Sequence, residues 1–288
     1  MNQQLGTFEI HDGLAIYSQG SGTPVLLMPY PHASATEPMI ENPLANILRD
    51  LNHRVITFDP PGNFRSTRTP LMTMAEMITC AEETRHTFGI AERVIVIGHS
   101  MGGLCSIAYT LAHPDRVAKL VLIDTLSGGP AIKRYKAIPY CMSLTDPNFW
   151  RLCWWGIQLS WLGRGNLAIH KKIDRLCDQM CYVDKRLAPE IVIRNEDYRL
   201  PAPVRSKWTQ VALGLDYKKR LGEIRVPTLV TVGRQDLQTP VGCSQELADG
   251  ISGARLGVFE RSGHFPFIEE REAFVRSLEG FLNEELEP

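Results

Sequence analysis

The chain has 288 residues, 44% of them hydrophobic, which is enough for one large domain or for a domain with an added segment. Its formal net charge of −1 gives no sign of nucleic-acid or membrane-surface binding. No apolar run approaches the roughly 20 residues of a transmembrane helix, and Met1–Gln4 lack the pattern of a signal peptide. The seven cysteines are odd in number and lack C-x-x-C spacing, so we predict reduced thiols and a cytoplasmic protein without a metal site.

The first 128 residues alternate between predicted strands and helices. A hairpin over 7–20, turning at Asp12-Gly13, comes first. Apolar runs then predict strands over 24–28, 54–59, 94–97 and 119–124, and helices over about 38–51, 73–88 and from residue 104. Thr73 is the expected N-cap of the second helix, with Glu76 completing a capping box. This alternation predicts an α/β fold with a mostly parallel twisted sheet and helices on both faces.

The alternation stops at Ser127-Gly128-Gly129-Pro130 and resumes near residue 217. Residues 129–216 show helical periodicity without a clear strand, and they contain all five tryptophans. From residue 130 on, this segment carries fourteen Lys and Arg against eight Asp and Glu, a charge of +6, which leaves −7 for the rest of the chain. We predict a helical cap here, inserted into a core formed by 1–128 and 217–288. The core then ends with predicted strands over 226–232 and 254–259 and helices over 240–249 and 270–283.

A serine is expected at a sharp turn between the strand over 94–97 and the helix that follows it. Gly98 and Gly102 flank Ser100 in a G-x-S-x-G pattern, which is typical of a tight turn that leaves the serine hydroxyl exposed above the sheet edge. The helix that follows points its N–H groups toward any negative charge that forms there. Ser100 is therefore the candidate nucleophile.

A histidine and a carboxylate follow two later strands, at the sheet edge where Ser100 is expected. A serine hydroxyl needs a base within hydrogen-bond reach, and an acid on the other ring nitrogen holds that base in place. His264 and Asp236 are the candidates, and Asp124, which also ends a strand, is the alternative acid. His99 adjoins the nucleophile, but its side chain is expected to point away, so we interpret it as a residue that packs near the site or supports a residue of the site without contacting the substrate.

The oxyanion of a tetrahedral intermediate requires two N–H donors. Met101, the residue after the nucleophile, supplies the first, and Tyr30 is preferred for the second because Pro29 and Pro31 have no N–H. His32 is a weaker alternative for that role. The candidate substrate-pocket residues are His32, Trp154, Trp155 and Glu196.

These positions resemble the motifs of capped serine hydrolases of the α/β-hydrolase superfamily. The similarity covers 7–128 and 217–288 and includes GHSMGG at 98–103, D-x-x-G-x-x-x-S from Asp59 to Ser66, VPTLVTVGRQD at 226–236 and SGHFPFIEE at 262–270. It implies the α/β-hydrolase fold, with Ser100 as nucleophile, Asp236 as acid and His264 as base. The chain departs from the family in having Met28-Pro29 where most members have His-Gly, and in lacking an arginine and a glycine of the Asp59 motif.

We therefore expect hydrolysis of a small to medium ester, thioester or lactone through an acyl-enzyme, without cofactor or metal. The expected partner is a small-molecule substrate, not a nucleic acid or a membrane, and the sequence does not predict an oligomeric state. A fainter resemblance to prolyl aminopeptidases, at SGHFPFIEE and at 193–198, keeps an aminopeptidase as one alternative. Glu196 and Asp197 would then hold the free amine of the substrate. A ligand-binding protein without turnover is a second alternative, and an acyltransferase using the same triad, with an alcohol as acceptor, is a third.

Overall fold

The computed structural model describes residues 7–30, 38–162, 166–187, 208 and 210–284. Its centre is an eight-stranded sheet in the order β1-β2-β4-β3-β5-β6-β7-β8. β2 pairs antiparallel with β1 and β4, and all later neighbours pair in parallel. The strands are β1 (Thr7–His11), β2 (Leu14–Gln19), β3 (Pro24–Met28), β4 (Arg54–Phe58), β5 (Val94–His99), β6 (Val117–Ile123), β7 (Thr228–Gly233) and β8 (Arg255–Phe259). The predicted mostly parallel α/β fold is confirmed.

Helices cover both faces of this sheet. The α-helices of the described residues are α1 (Pro43–Asp50), α2 (Met74–Thr87), α3 (Met101–Ala112), α4 (Gly129–Arg134), α5 (Pro147–Leu162), α6 (Leu167–Cys181), α7 (Val241–Gly250), α8 (Pro266–Glu269) and α9 (Arg271–Leu282). Of these, α1, α2, α3, α7, α8 and α9 have residues in the two cores that pack against the sheet. Short 3₁₀ helices occupy Met39–Glu41, Pro114–Arg116 and Lys218–Glu223. Among the helices described, none is long and apolar enough to cross a bilayer.

The apolar run of β5 is divided between two cores, because successive side chains of a strand point to opposite faces. Val94 and Val96 pack in one core with residues of α2, α3 and α7. Ile95 and Ile97 pack in the other core with residues of α1 and α9. A central strand of a two-faced parallel sheet therefore needs apolar residues at every position, which is why its sequence does not alternate.

Two local predictions were wrong in detail. The helix expected over 38–51 is interrupted at Asn42, which is extended because it precedes Pro43, and the Asn42 side chain caps α1 by accepting from Leu44 N at 2.9 Å. At α2, the Thr73 hydroxyl accepts from Glu76 N at 3.1 Å as predicted. The Glu76 carboxylate, however, accepts from the backbone N–H groups of residues 71 and 72, so the reciprocal bond of a capping box is replaced.

The segment from 129 to 216 begins and ends at one place. Gly129 N donates to Leu215 O and Tyr217 N donates to Ser127 O, both at 2.8 Å. The Glu246 carboxylate of α7 lies beside this junction and accepts hydrogen bonds from the side chains of Ser127, Arg134, Tyr135 and Lys218. The Glu246 carboxylate therefore joins α7 to three parts of the chain: a residue just before the segment, the end of the segment's first helix, and a residue just after the segment.

Candidate functional site

Ser100 lies at the turn between β5 and α3 in a strained backbone conformation, with φ of 52° and ψ of −122°. Its N–H donates to Ile123 O at 2.9 Å, and the Thr125 hydroxyl donates to its carbonyl oxygen at 2.6 Å. The last residue of β6 and Thr125, two residues beyond it, therefore hold the turn on both sides of Ser100. A left-handed conformation at a non-glycine residue costs about 1–3 kcal/mol and persists only where its surroundings enforce it.

The flanking glycines allow the backbone to close around this turn. A Cβ at Gly98 would lie 2.2 Å from the carbonyl oxygen of Gly102, and a Cβ at Gly102 would lie 2.5 Å from the carbonyl oxygen of Met28. The second contact brings the end of β3 against the start of α3. The G-x-S-x-G pattern is thus required by close backbone approach.

His264 and Asp236 are joined by a hydrogen bond of 2.7 Å between His264 Nδ1 and Asp236 Oδ2. Both side chains are buried. The bond to Nδ1 leaves Nε2 as the ring nitrogen that can exchange a proton with a substrate or a nucleophile. The structure thus brings the two candidate residues together, and their roles as base and acid stay predictions.

Asp236 is held ionised by several donors. Its Oδ1 accepts from Gln238 N at 2.7 Å and Thr239 N at 3.1 Å, and its Oδ2 accepts from the Thr239 hydroxyl at 2.6 Å. Burial by itself raises the pKa of Asp236, but the positive charge and hydrogen bond of His264 and the bonds from Thr239 outweigh it and bring the pKa to about 2. The carboxylate is therefore available to stabilise a protonated His264.

The loop that carries His264 is fixed by two glutamates and by the end of α6. Glu269 accepts from Gly263 N at 2.7 Å with one oxygen and from Val183 N at 2.7 Å with the other. Glu270 accepts from Arg261 N at 2.7 Å, and His264 N donates to Cys181 O at 2.7 Å. Residues 181–183, which belong to the predicted cap, therefore contact the loop of the candidate base directly.

His99 links the candidate base, His264, to the loop after β3. Burial and then the charge of His264 lower the pKa of His99 to about 3, so its ring is neutral at ordinary pH. Its Nε2 lies 2.7 Å from the carbonyl oxygen of His264, which can only accept, so Nε2 carries the proton. Its Nδ1 must then accept from the Tyr30 hydroxyl at 2.9 Å. His99 thus connects two parts of the site, which agrees with the supporting role that the sequence left open beside packing.

Met101 and Tyr30 stand at the positions expected of oxyanion donors. Met101 is the first residue of α3, and the N–H of a first helical residue has no acceptor within its own helix. Tyr30 lies two residues beyond the end of β3, whose last carbonyl approaches Gly102 closely. Their roles as donors stay predictions.

The candidate pocket residues are only partly described. His32 and Glu196 lie outside the described residues, as does Asp197. Trp154 and Trp155 lie on α5, the first 52% exposed and the second half-buried. Within the described residues, no hydrogen bond or ring contact joins either tryptophan to Ser100, Asp236 or His264.

The described residues contain one cluster with the ligand types of a metal site, formed by Asp124, Asp236 and His264, whose ligand atoms all lie within 4.8 Å of one another. The hydrogen bond between Asp236 and His264 already occupies the two atoms that would face a cation. A proton between them accounts for this geometry.

Sequence reasoning did not identify Thr239, Glu269 or Glu270 as residues of this site. The two glutamates are the last residues of the SGHFPFIEE motif, and this closeness to His264 in the sequence could have indicated that they belong to the site. The Asp59 motif joins the loop after β4 to β2, because the Ser66 hydroxyl donates to Asp59 O at 2.6 Å and accepts from Ala15 N at 2.9 Å.

Comparisons with known proteins identify the family. The model of the alpha/beta hydrolase fold matches residues 35–164. A 2-hydroxy-6-oxononadienedioate/2-hydroxy-6-oxononatrienedioate hydrolase from Cupriavidus pinatubonensis is 32% identical over 66% of this chain, and the match spans 62% of that relative. A hydrolase with the same substrate name from Pseudomonas putida is 30% identical over 83% of this chain and 82% of its own. An alpha/beta fold family hydrolase from Bacillus anthracis has a TM-score of 0.76 at 20% identity, covering 96% of this chain and 99% of its own. The chain belongs to the α/β-hydrolase family.

Proposed function

We propose that this α/β-hydrolase uses Ser100, His264 and Asp236 to hydrolyse a small to medium carboxylic ester, thioester or lactone. The observation that carries the proposal is the buried 2.7 Å bond between His264 and Asp236, at the sheet edge where Ser100 occupies its strained turn. His99 supports the proximity of base and nucleophile, because it precedes Ser100 and its ring lies 4.7 Å from that of His264.

The proposed reaction proceeds through an acyl-enzyme. Ser100 Oγ attacks the acyl carbonyl carbon while His264 Nε2 takes the hydroxyl proton, and the Asp236 carboxylate stabilises the imidazolium. The N–H groups of Met101 and Tyr30 stabilise the oxyanion. The imidazolium then protonates the leaving group as its bond to the acyl carbon breaks. Water, deprotonated by His264, releases the acid and restores Ser100.

We also propose that residues 129–216 form a cap over this site. Support comes from the contacts of residues 181–183 with Glu269 and with the backbone of His264. The excess of six positive charges in this segment would favour an acidic substrate.

A carbon–carbon hydrolase acting on a 2-hydroxy-6-oxo diacid is the second candidate. The relatives named above carry that substrate name, and a diacid complements the positive charge of residues 129–216. The same serine would attack the ketone carbonyl, so the two candidates share a nucleophile and differ in the bond that breaks.

The test compares wild type, Ser100→Ala and the exposed control Ser160→Ala on p-nitrophenyl esters, on a 2-hydroxy-6-oxo-dienedioate and on prolyl arylamides. We expect ester turnover that Ser100→Ala lowers at least about 10⁴-fold while Ser160→Ala leaves it unchanged. Turnover of the dienedioate alone would select the second candidate, and turnover of arylamides would select the aminopeptidase. Ester turnover that survives in Ser100→Ala would contradict the mechanism.

Covalent labelling with a fluorophosphonate distinguishes an enzyme with a narrow substrate range from a protein whose site is inactive. An activated serine reacts with this probe whatever the natural substrate is. Labelling of the wild type at Ser100 without turnover would indicate that the substrate was absent from the panel. A wild type that neither turns over nor labels would support the ligand-binding alternative.

A further inference from the structure

Asp124 is a fully buried carboxyl group that the proposed reaction does not use. It directly follows β6, between the strand that leads to Ser100 and the strand that leads to Asp236. Its backbone is left-handed, with φ of 42°, and its N–H donates to Thr231 O at 2.8 Å. Asp124 Oδ1 accepts from Gly233 N at 2.8 Å, whereas Oδ2 has no hydrogen-bond partner among the described residues.

Asp124 lies in one cluster with the proposed acid and base. The ligand atoms of Asp124, Asp236 and His264 are all within 4.8 Å of one another. Two buried carboxylates at this separation repel each other strongly, so one of them holds a proton. Within the described part of the chain, Asp236 accepts from four donors and Asp124 from one, which assigns the proton to Asp124.

The electrostatic surroundings agree with this assignment. Burial first, and then the negative charge of Asp236, raise the pKa of Asp124 well above its usual range, and Glu269 acts in the same direction. The N–H of Gly233 opposes them. In a protonated Asp124, Oδ2 is the atom that can donate toward Asp236, which agrees with the lack of a donor to it among the residues that the structure describes.

We propose that Asp124 is a reserve acid of this site: a neutral positioning residue beside Asp236 that ionises and supports His264 when the charge of Asp236 is removed. The inference rests on the proposed function, because it assigns His264 as the base. Without the negative charge at position 236, the main charge opposing ionisation of Asp124 is gone. Its carboxylate, already within 4.8 Å of a ring nitrogen of His264, can then stabilise the imidazolium.

The experiment is a double-mutant cycle of Asp236→Asn and Asp124→Asn, read as the rate of fluorophosphonate labelling of Ser100 between about pH 5 and pH 9. We expect Asp236→Asn to label about 10- to 100-fold more slowly than wild type near pH 7 and to recover as Asp124 loses its proton at higher pH. The double variant should lose about 10⁴-fold, as a triad without any acid does, and should show no such recovery. Asp124→Asn alone should lose less than about threefold, because an amide keeps the bond from Gly233 and can donate toward Asp236.

Two results would overturn the proposal. One is an Asp236→Asn variant that labels as slowly as the double variant at every pH. The other is a pair of infrared spectra at pH 7 that do not differ in a protonated-carboxyl band, since the proposal requires wild type to show such a band and Asp124→Asn to lack it. The infrared measurement requires neither turnover nor the double variant. It decides the protonation of Asp124 even where that variant fails to fold, or where a wild type that neither labels nor turns over has contradicted the proposed function.

Discussion

At the residue scale, the Tyr30 hydroxyl connects the loop after β3, the proposed source of an oxyanion donor, to His99, the neighbour of the proposed nucleophile Ser100. Tyr30→Phe removes the donor to His99 Nδ1 and keeps the backbone N–H. An unsatisfied buried acceptor costs about 1–3 kcal/mol, and a shifted loop would misplace the oxyanion donor. We expect kcat to fall roughly 5- to 50-fold with KM changed less than about twofold, measured by steady-state kinetics.

The half-exposed Tyr140 provides the matched control, because Tyr140→Phe makes the same chemical change away from these contacts. The effect of Tyr30→Phe should also be independent of pH above about 5, since the pKa of His99 is about 3. Wild-type kcat in Tyr30→Phe would show that the hydroxyl does not position the loop.

At the scale of elements, Glu269 joins the loop of His264 to residues 183 and 184. It accepts from Gly263 N on one side and from Val183 N and Asp184 N on the other. Glu269→Gln turns one acceptor oxygen into a donor that faces an N–H group. We expect kcat/KM to fall about tenfold and the free energy of unfolding to fall by about 1–3 kcal/mol, measured by kinetics and by denaturant titration.

Glu272→Gln is the control, since Glu272 is an exposed residue of the adjoining helix, with a side chain 92% accessible. It should change neither quantity. An unchanged kcat/KM in Glu269→Gln would mean that the position of residues 183 and 184 does not affect the base.

Elements with a local signal were predictable from the sequence. The apolar run of β5, the glycines around Ser100 and the Asp12-Gly13 turn each depend on residues close together in the chain. The N–H donors that Glu269 receives from residues 183 and 184 were not predictable, because they lie some 85 residues away in the chain, within the segment 129–216. The pairing of Asp124 with Asp236 likewise follows from the adjacency of β6 and β7, which the sheet order alone provides.

At the scale of the whole molecule, buried carboxylates hold separate parts of the chain together. Glu246 receives donors from the chain before and after the segment 129–216, and Lys218 and Ser127 help to keep its pKa low against the effect of burial. Asp59 accepts from the Tyr17 hydroxyl at 2.6 Å and from Arg65 N at 3.0 Å, which joins β2 to the loop after β4. Such groups make the stability of the fold depend on pH.

Asp59 should make the molecule less stable as the pH rises. Burial raises the pKa of Asp59 from 3.8 to about 6, so the folded state holds its proton more tightly than the unfolded state. The contribution to stability is complete below the unfolded pKa and is lost as the pH rises through about 6, a change of about 3 kcal/mol. In Asp59→Asn this loss should vanish, so its free energy of unfolding relative to wild type should rise by about that amount between pH 4 and pH 8. Urea titrations at both pH values measure this difference in the free energy of unfolding, and Asp249→Asn, at an exposed position, is the control. The prediction would be contradicted if the free energies of unfolding of Asp59→Asn and wild type changed in parallel with pH.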